Sequence, residues 1–115
     1  MVRKEGSKMY ARILRMQIKK DKIEEASNLF KKGVLPLCKK QAGFESAYFM
    51  TDPKTGGGIA ITFWTDEKSM LASEENRFFQ EQVAKFVEFF SSPPIREAYE
   101  VALKREMKTP QKLKV

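Results

Sequence analysis

Histidine is missing from the chain altogether, and cysteine occurs once, as Cys38. The first absence removes His-based triads, His haem ligation, two-His iron sites and His–Cys zinc sites in one step. The second removes a disulfide framework and a cysteine metal cluster. No metal and no cofactor is therefore expected. Long apolar runs are missing too, since none approaches the ~20 residues that span a bilayer. The opening MVRKEGSK is charged, and no apolar stretch of signal-peptide type follows it. The expectation is a soluble protein of the reducing cytoplasm with no membrane partner.

What the chain does have is a core. Its 115 residues are 42% hydrophobic and 32% charged, which suits one globular domain. Nine phenylalanines and six methionines point to a core of aromatic rings with soft filler. The net charge of +7 invites a nucleic-acid partner, but its placement argues otherwise. Residues 1–8 carry +2 and residues 104–115 carry +4, leaving +1 for the rest. The domain is expected over 9–103, with basic, flexible tails at 1–8 and 104–115. Nucleic acid is then unlikely as a partner, except weakly through the C-terminal tail.

Residues 9–19 alternate as a strand, with Tyr10, Leu14, Met16 and Ile18 on one face and Ala11, Ile13, Arg15 and Gln17 on the other. Residues 21–41 have helical spacing at Ile23, Ala26, Phe30, Val34 and Leu37. Asp21 is the expected N-cap, Gly33 and Pro36 predict a kink, and Gly43 a stop. FESAYFMT (44–51) and IAITFWT (59–65) form a hairpin across DPKTGGG. A phosphate cradle needs glycines between a strand and a helix, followed by Lys-Ser or Lys-Thr. Here they join two strands, so the triple glycine reads as a slack, flexible turn.

Asp66 caps a second helix, which the polar SEEN (73–76) bends or interrupts. RFFQEQVAKFVEFF resumes it with a stripe of Phe79, Val83, Phe86 and Phe90. SSPP ends it, and IREAYEVAL (95–103) is a fourth strand. The order β-α-β-β-α-β is the α+β, ferredoxin-like arrangement: a four-stranded antiparallel sheet with two helices on one face. Both faces of the strands are largely apolar, with Phe44, Tyr48 and Met50 opposite Ala47 and Phe49 in the second strand. Two helices cover one face only. The other calls for a second copy, sheet against sheet, in a homodimer.

The stretches MYARILRMQIKKDKIEEASNLF, IAITFWTDEKSMLAS and RFFQEQVAKFVEFFSSPPIREAYEV resemble the antibiotic-biosynthesis monooxygenase superfamily of dimeric α/β barrels. The resemblance covers roughly residues 9–103. It implies a ligand pocket between sheet and helices in each subunit. Its cofactor-independent members oxidise phenols and quinols, using the substrate anion itself to reduce O₂. The haem-degrading branch fits worse. Where it has a histidine, a tryptophan and an asparagine, this chain has Asn76–Arg77, Ser73 and Arg12.

The resemblance and the polar breaks together nominate pocket residues. Trp64, closing the third strand, is either a pocket wall or a core aromatic. Asn76 and Arg77 hold an oxyanion or form a solvated kink. Arg15 pairs with Glu97 or Glu45, or faces a ligand. Tyr48 and Tyr99 donate to a phenolate or simply pack. Phe79 belongs to the second helix's apolar stripe. Cys38 reads as a small buried hydrophobe. No catalytic residue stands out. Two functions remain: a cofactor-independent monooxygenase-like protein acting on a small aromatic or quinol-type molecule, or a non-enzymatic module that binds a small ligand or dimerises.

Overall fold

The computed structural model describes residues 8–108. Four strands, β1 (Tyr10–Gln17), β2 (Phe44–Thr51), β3 (Gly57–Trp64) and β4 (Ile95–Glu100), form one antiparallel sheet in the order β2-β3-β1-β4. That is the ferredoxin-like order, with the first strand in the middle. Period-two alternation sorts the side chains into rows across the sheet. On the helix side the rows are Phe44–Trp64–Tyr10–Glu100, Ala47–Thr62–Arg12–Ala98 and Phe49–Ala60–Leu14–Arg96. On the other side they are Ser46–Phe63–Ala11–Tyr99, Tyr48–Ile61–Ile13–Glu97 and Met50–Ile59–Arg15–Ile95.

The helical layer lies on the first face. It comprises α1 (Ile23–Leu29), α2 (Leu35–Cys38), α3 (Glu67–Glu75) and α4 (Phe78–Ala84). The core between the layers is built on Met16, Ile18, Ala26, Phe30, Val34, Cys38 and Phe86. Phe30 stacks on Phe49 at 5.0 Å between ring centroids.

The kink expected from Gly33 and Pro36 is one wide turn rather than a break. Proline has no N–H to give the carbonyl four residues back. The ladder widens over Phe30–Val34, and the Leu35 N–H reaches back five residues to Phe30 O. Asp21 is not the cap: Lys20–Lys22 form a 3₁₀ turn, and α1 starts after Lys22 without a side-chain cap. Asp66 is a cap, accepting the Ser69 N–H at 2.8 Å. The second helical segment is interrupted where the polar SEEN ends, at Asn76–Arg77. Asn76 Oδ1 accepts the Phe78 N–H at 2.9 Å, and Arg77 takes a left-handed φ of 71°.

Two further expectations change. A bulge between Phe44 and Ser46 turns Phe44 to the helix side, edge-on to Trp64 at 5.7 Å. The triple glycine is not slack. Gly56 has a φ of 81° and lies against the Ile18 carbonyl, which a Cβ would meet at 2.3 Å. Its own carbonyl accepts the Ile18 N–H at 2.7 Å. The glycines let the hairpin dock on the end of β1.

Residues 101–108 carry no helix or strand, and the basic tails expected at 1–8 and 104–115 otherwise lie largely outside the described residues. No helix among the described residues is long and apolar enough to cross a membrane.

Candidate functional site

A cavity of about 60 Å³ lies between the sheet and the helical layer. Its floor comes from two neighbouring rows of the sheet, Thr62 beside Arg12 and Ala60 beside Leu14. Phe30, Val34 and Cys38 close one side, supplied by the wide turn and α2. Phe78, Phe79, Gln82 and Val83 of α4 close another, with Phe86 and Phe90 beyond. The wall is thus almost wholly apolar, with one cation in it.

That cation is Arg12, only 4% exposed. A buried charge needs a counter-charge and hydrogen bonds. Arg12 Nη1 donates to Ser73 Oγ at 2.8 Å, to Glu74 Oε2 at 3.1 Å and, more weakly, to Met70 O at 3.4 Å. Ser73 in turn donates to Met70 O at 2.6 Å. The Phe79 ring lies 4.1 Å from the guanidinium carbon and that of Trp64 5.4 Å, both as cation–π partners. Glu74 is shared: Arg96 of β4 donates to the same Oε2 at 2.8 Å. Burial lowers the Arg12 pKa, and the bond to Glu74 opposes that shift. Burial pushes the Cys38 thiol up, and the charges of Arg12 and Lys85 act against it.

The residues nominated from sequence divide. Phe79 lines the cavity and stacks on Arg12. Trp64 is fully buried behind Arg12, and its Nε1 donates to Thr62 Oγ1 at 2.9 Å. Arg15 is on the opposite sheet face, paired with Glu97 at 2.7 Å. Tyr48 and Tyr99 share that face and are 56% and 51% exposed. Asn76 is an exposed helix cap whose Nδ2 reaches Gln41 Oε1 at 3.4 Å, and Arg77 is exposed beside it. The structure brings Phe79 and Trp64 together around a residue not nominated, Arg12. One signal for it was present. Arg12 is the charged member of the otherwise apolar row Tyr10, Leu14, Met16 and Ile18. Among the described residues no group of three or more His, Cys, Asp or Glu side chains is placed to hold a metal ion.

Solved structures share this architecture. A conserved protein from Methanosarcina mazei superposes with a TM-score of 0.68 at 18% identity, over 81% of this chain and 92% of that one. A protein of unknown function from Nitrosomonas europaea gives 0.69 at 17%, over 90% and 98%. A monooxygenase from Streptomyces coelicolor, solved with the ligand nanaomycin D, gives 0.67 at 13%, over 91% and 94%. At such identities the likeness is one of fold. No curated protein matches the chain. A family model described as antibiotic biosynthesis monooxygenase matches residues 9–88, most of the sheet and both helical segments. The chain belongs to the antibiotic biosynthesis monooxygenase family.

Proposed function

We propose that this chain is a cofactor-independent monooxygenase that takes a small aromatic or quinol-type molecule into the cavity as its anion. The observation that carries the proposal is the buried Arg12 guanidinium in an otherwise apolar wall. A cation in a low-dielectric site favours the ionised form of a bound phenol or enol. An electron-rich anion of that kind reduces O₂ without help, so the protein need only bind it, shield it and hold its charge. For a ring methylene the balance is CH₂ + O₂ → C=O + H₂O, with all the electrons drawn from the substrate and O₂ as oxidant.

Size sharpens the reading. A cavity of ~150 Å³ is what takes up benzene in an engineered core. At about 60 Å³ this one admits a ring only when α4 and its Phe78 and Phe79 move outward. Oxygen uptake with a panel of hydroquinones and anthrones tests the proposal, the expected result being uptake that Arg12→Lys slows. No uptake with any of them overturns it.

One observation favours the second reading, a ligand-binding module without turnover. Besides Arg12, the only titratable group that the described residues place on the cavity wall is Cys38, whose raised pKa keeps its proton in place. Under either reading the chain works as a homodimer in the cytoplasm. Support for the dimer comes from the uncovered sheet face, where Ile13, Ile59, Ile61 and Phe63 run between the exposed Tyr48, Met50, Ile95 and Tyr99.

A further inference from the structure

The Arg12 guanidinium is satisfied along one side only. All three of its hydrogen bonds leave from Nη1, and Nε and Nη2 have no partner among the described residues. With Nη1 turned to α3 and the Phe79 ring against the group, the Nε–Nη2 edge is the part left to meet the cavity. That edge is a planar fork with two parallel N–H donors, spaced for the two oxygens of one carboxylate. A phenolate oxygen fills half of it. A neutral amide offers one acceptor and a clashing NH₂.

Charge sets the same limit. Arg12 and Arg96 share the single carboxylate of Glu74, so the cluster carries one uncompensated positive charge. One negative charge neutralises it. A second, in the same dry site, would face Phe78, Phe79 and Val83 with no partner.

We propose that the cavity is a monocarboxylate site: the carboxylate of a small apolar acid sits on the Nε–Nη2 edge of Arg12, with its hydrocarbon end among Phe49, Phe79 and Phe86. This deepens the proposed function and rests on its premise that a ligand's anionic end meets Arg12. Within the proposed function it narrows the substrate to quinol-type rings that carry a single carboxyl group, and for a ligand without turnover to small apolar monocarboxylates.

The test is calorimetric titration of the full chain with butyrate, benzoate, their neutral amides, and phenol. Butyrate and benzoate should bind at least tenfold more tightly than butyramide and benzamide, and benzoate more tightly than phenol. Arg12→Lys, which keeps the charge and loses the fork, should weaken acid binding at least tenfold. A measurement without any variant locates the site: benzoate should slow the reaction of Cys38 with a thiol reagent, since Cys38 lines the same cavity. Amides binding within threefold of the acids, or acid binding that leaves Cys38 unprotected, overturns the proposal. Oxygen uptake separates it from the proposed function. Uptake from hydroquinones without acid binding removes the carboxylate assignment alone, and acid binding without uptake from any substrate removes the oxygenase alone.

Discussion

Arg12 and Glu74 look like equal partners, yet replacing them should have unequal consequences. Glu74 keeps Arg96 when Arg12 is removed, and Arg12→Met puts an apolar side chain of similar length among Phe79, Trp64 and Leu14. The large cost of breaking a buried pair comes from the charge left uncompensated, and here none is. Glu74→Ala instead leaves a buried cation with only Ser73 and a carbonyl, a change costing on the order of 3 kcal/mol. Urea unfolding should therefore place Arg12→Met within about 1 kcal/mol of wild type and Glu74→Ala well below it. Cys38 gives a pH signature. Its folded pKa lies above the ordinary thiol value of 9.0, so the unfolded chain ionises first as pH rises. Stability is full below that value and declines above it. Cys38→Ala should flatten this alkaline decline in thermal melts between pH 8 and 10. Neither residue could be ranked from its neighbours in sequence. The partner that makes Arg12 a site, Glu74, lies 62 positions away. Arg15, three residues from Arg12, drew the same argument, and of its two alternatives the pairing with Glu97 is the one found, on the opposite face of the strand.

At the level of elements, strand and helix periodicity carried most of the fold. All four strands and both helical segments lie close to where alternation and 3.6-residue spacing put them. What the sequence left open was the form of three local events: the bulge that reverses Phe44, the αL residue Arg77 at the expected polar break, and the wide turn that the expected kink at Pro36 takes. Each depends on a backbone hydrogen bond given up or gained, which no pattern of apolar residues encodes. These events also govern access. α4 is short, follows the left-handed Arg77, and is tied at its far end by Lys85, whose Nζ donates to Gly33 O at 2.9 Å and Gln82 Oε1 at 2.8 Å. The Gly33 carbonyl belongs to the wide turn, so the ammonium pins one cavity wall to the other. An exposed tie of this kind contributes about 0.5–1 kcal/mol. Lys85→Met should accordingly raise the labelling rate of Cys38 by roughly two- to fivefold, as read by a thiol-reactive dye under native conditions.

For the molecule as a whole, the proposed dimer rests on the face without helices. Four strands at ~4.8 Å spacing and up to eight residues at ~3.3 Å present a projected area of roughly 500 Å². Apart from the Arg15–Glu97 pair and Ser46 that face is mostly apolar, and a contiguous apolar patch of a few hundred Å² rimmed by polar groups is the kind that marks an interface. Light scattering should give about twice the 13.3 kDa chain mass at micromolar concentration. Ile61→Glu, at the centre of the face beside Ile13 and Tyr48, should give the single-chain mass with an unchanged far-ultraviolet spectrum. A wild-type monomer would sink the dimer, and with it the role given to Tyr48 and Tyr99 as interface residues.

The position of β1 in the sheet has a consequence during synthesis. The first strand of the sheet in sequence becomes one of its two inner ones, flanked by β3 and β4. At ~5–20 residues per second, the roughly 80 residues between Gln17 and Glu100 take on the order of 4–16 s to follow. Until β3 is made both edges of YARILRMQ are unpaired, and the edge that takes β4 stays open for the whole interval, able to pair with the same segment of another nascent chain. Arg12 and Arg15 stand inside it, one for each face, and like charges stacked in register repel. The guanidinium that ends up buried beside the cavity is thus, until the last strand arrives, a charge that opposes pairing between two copies of the first one.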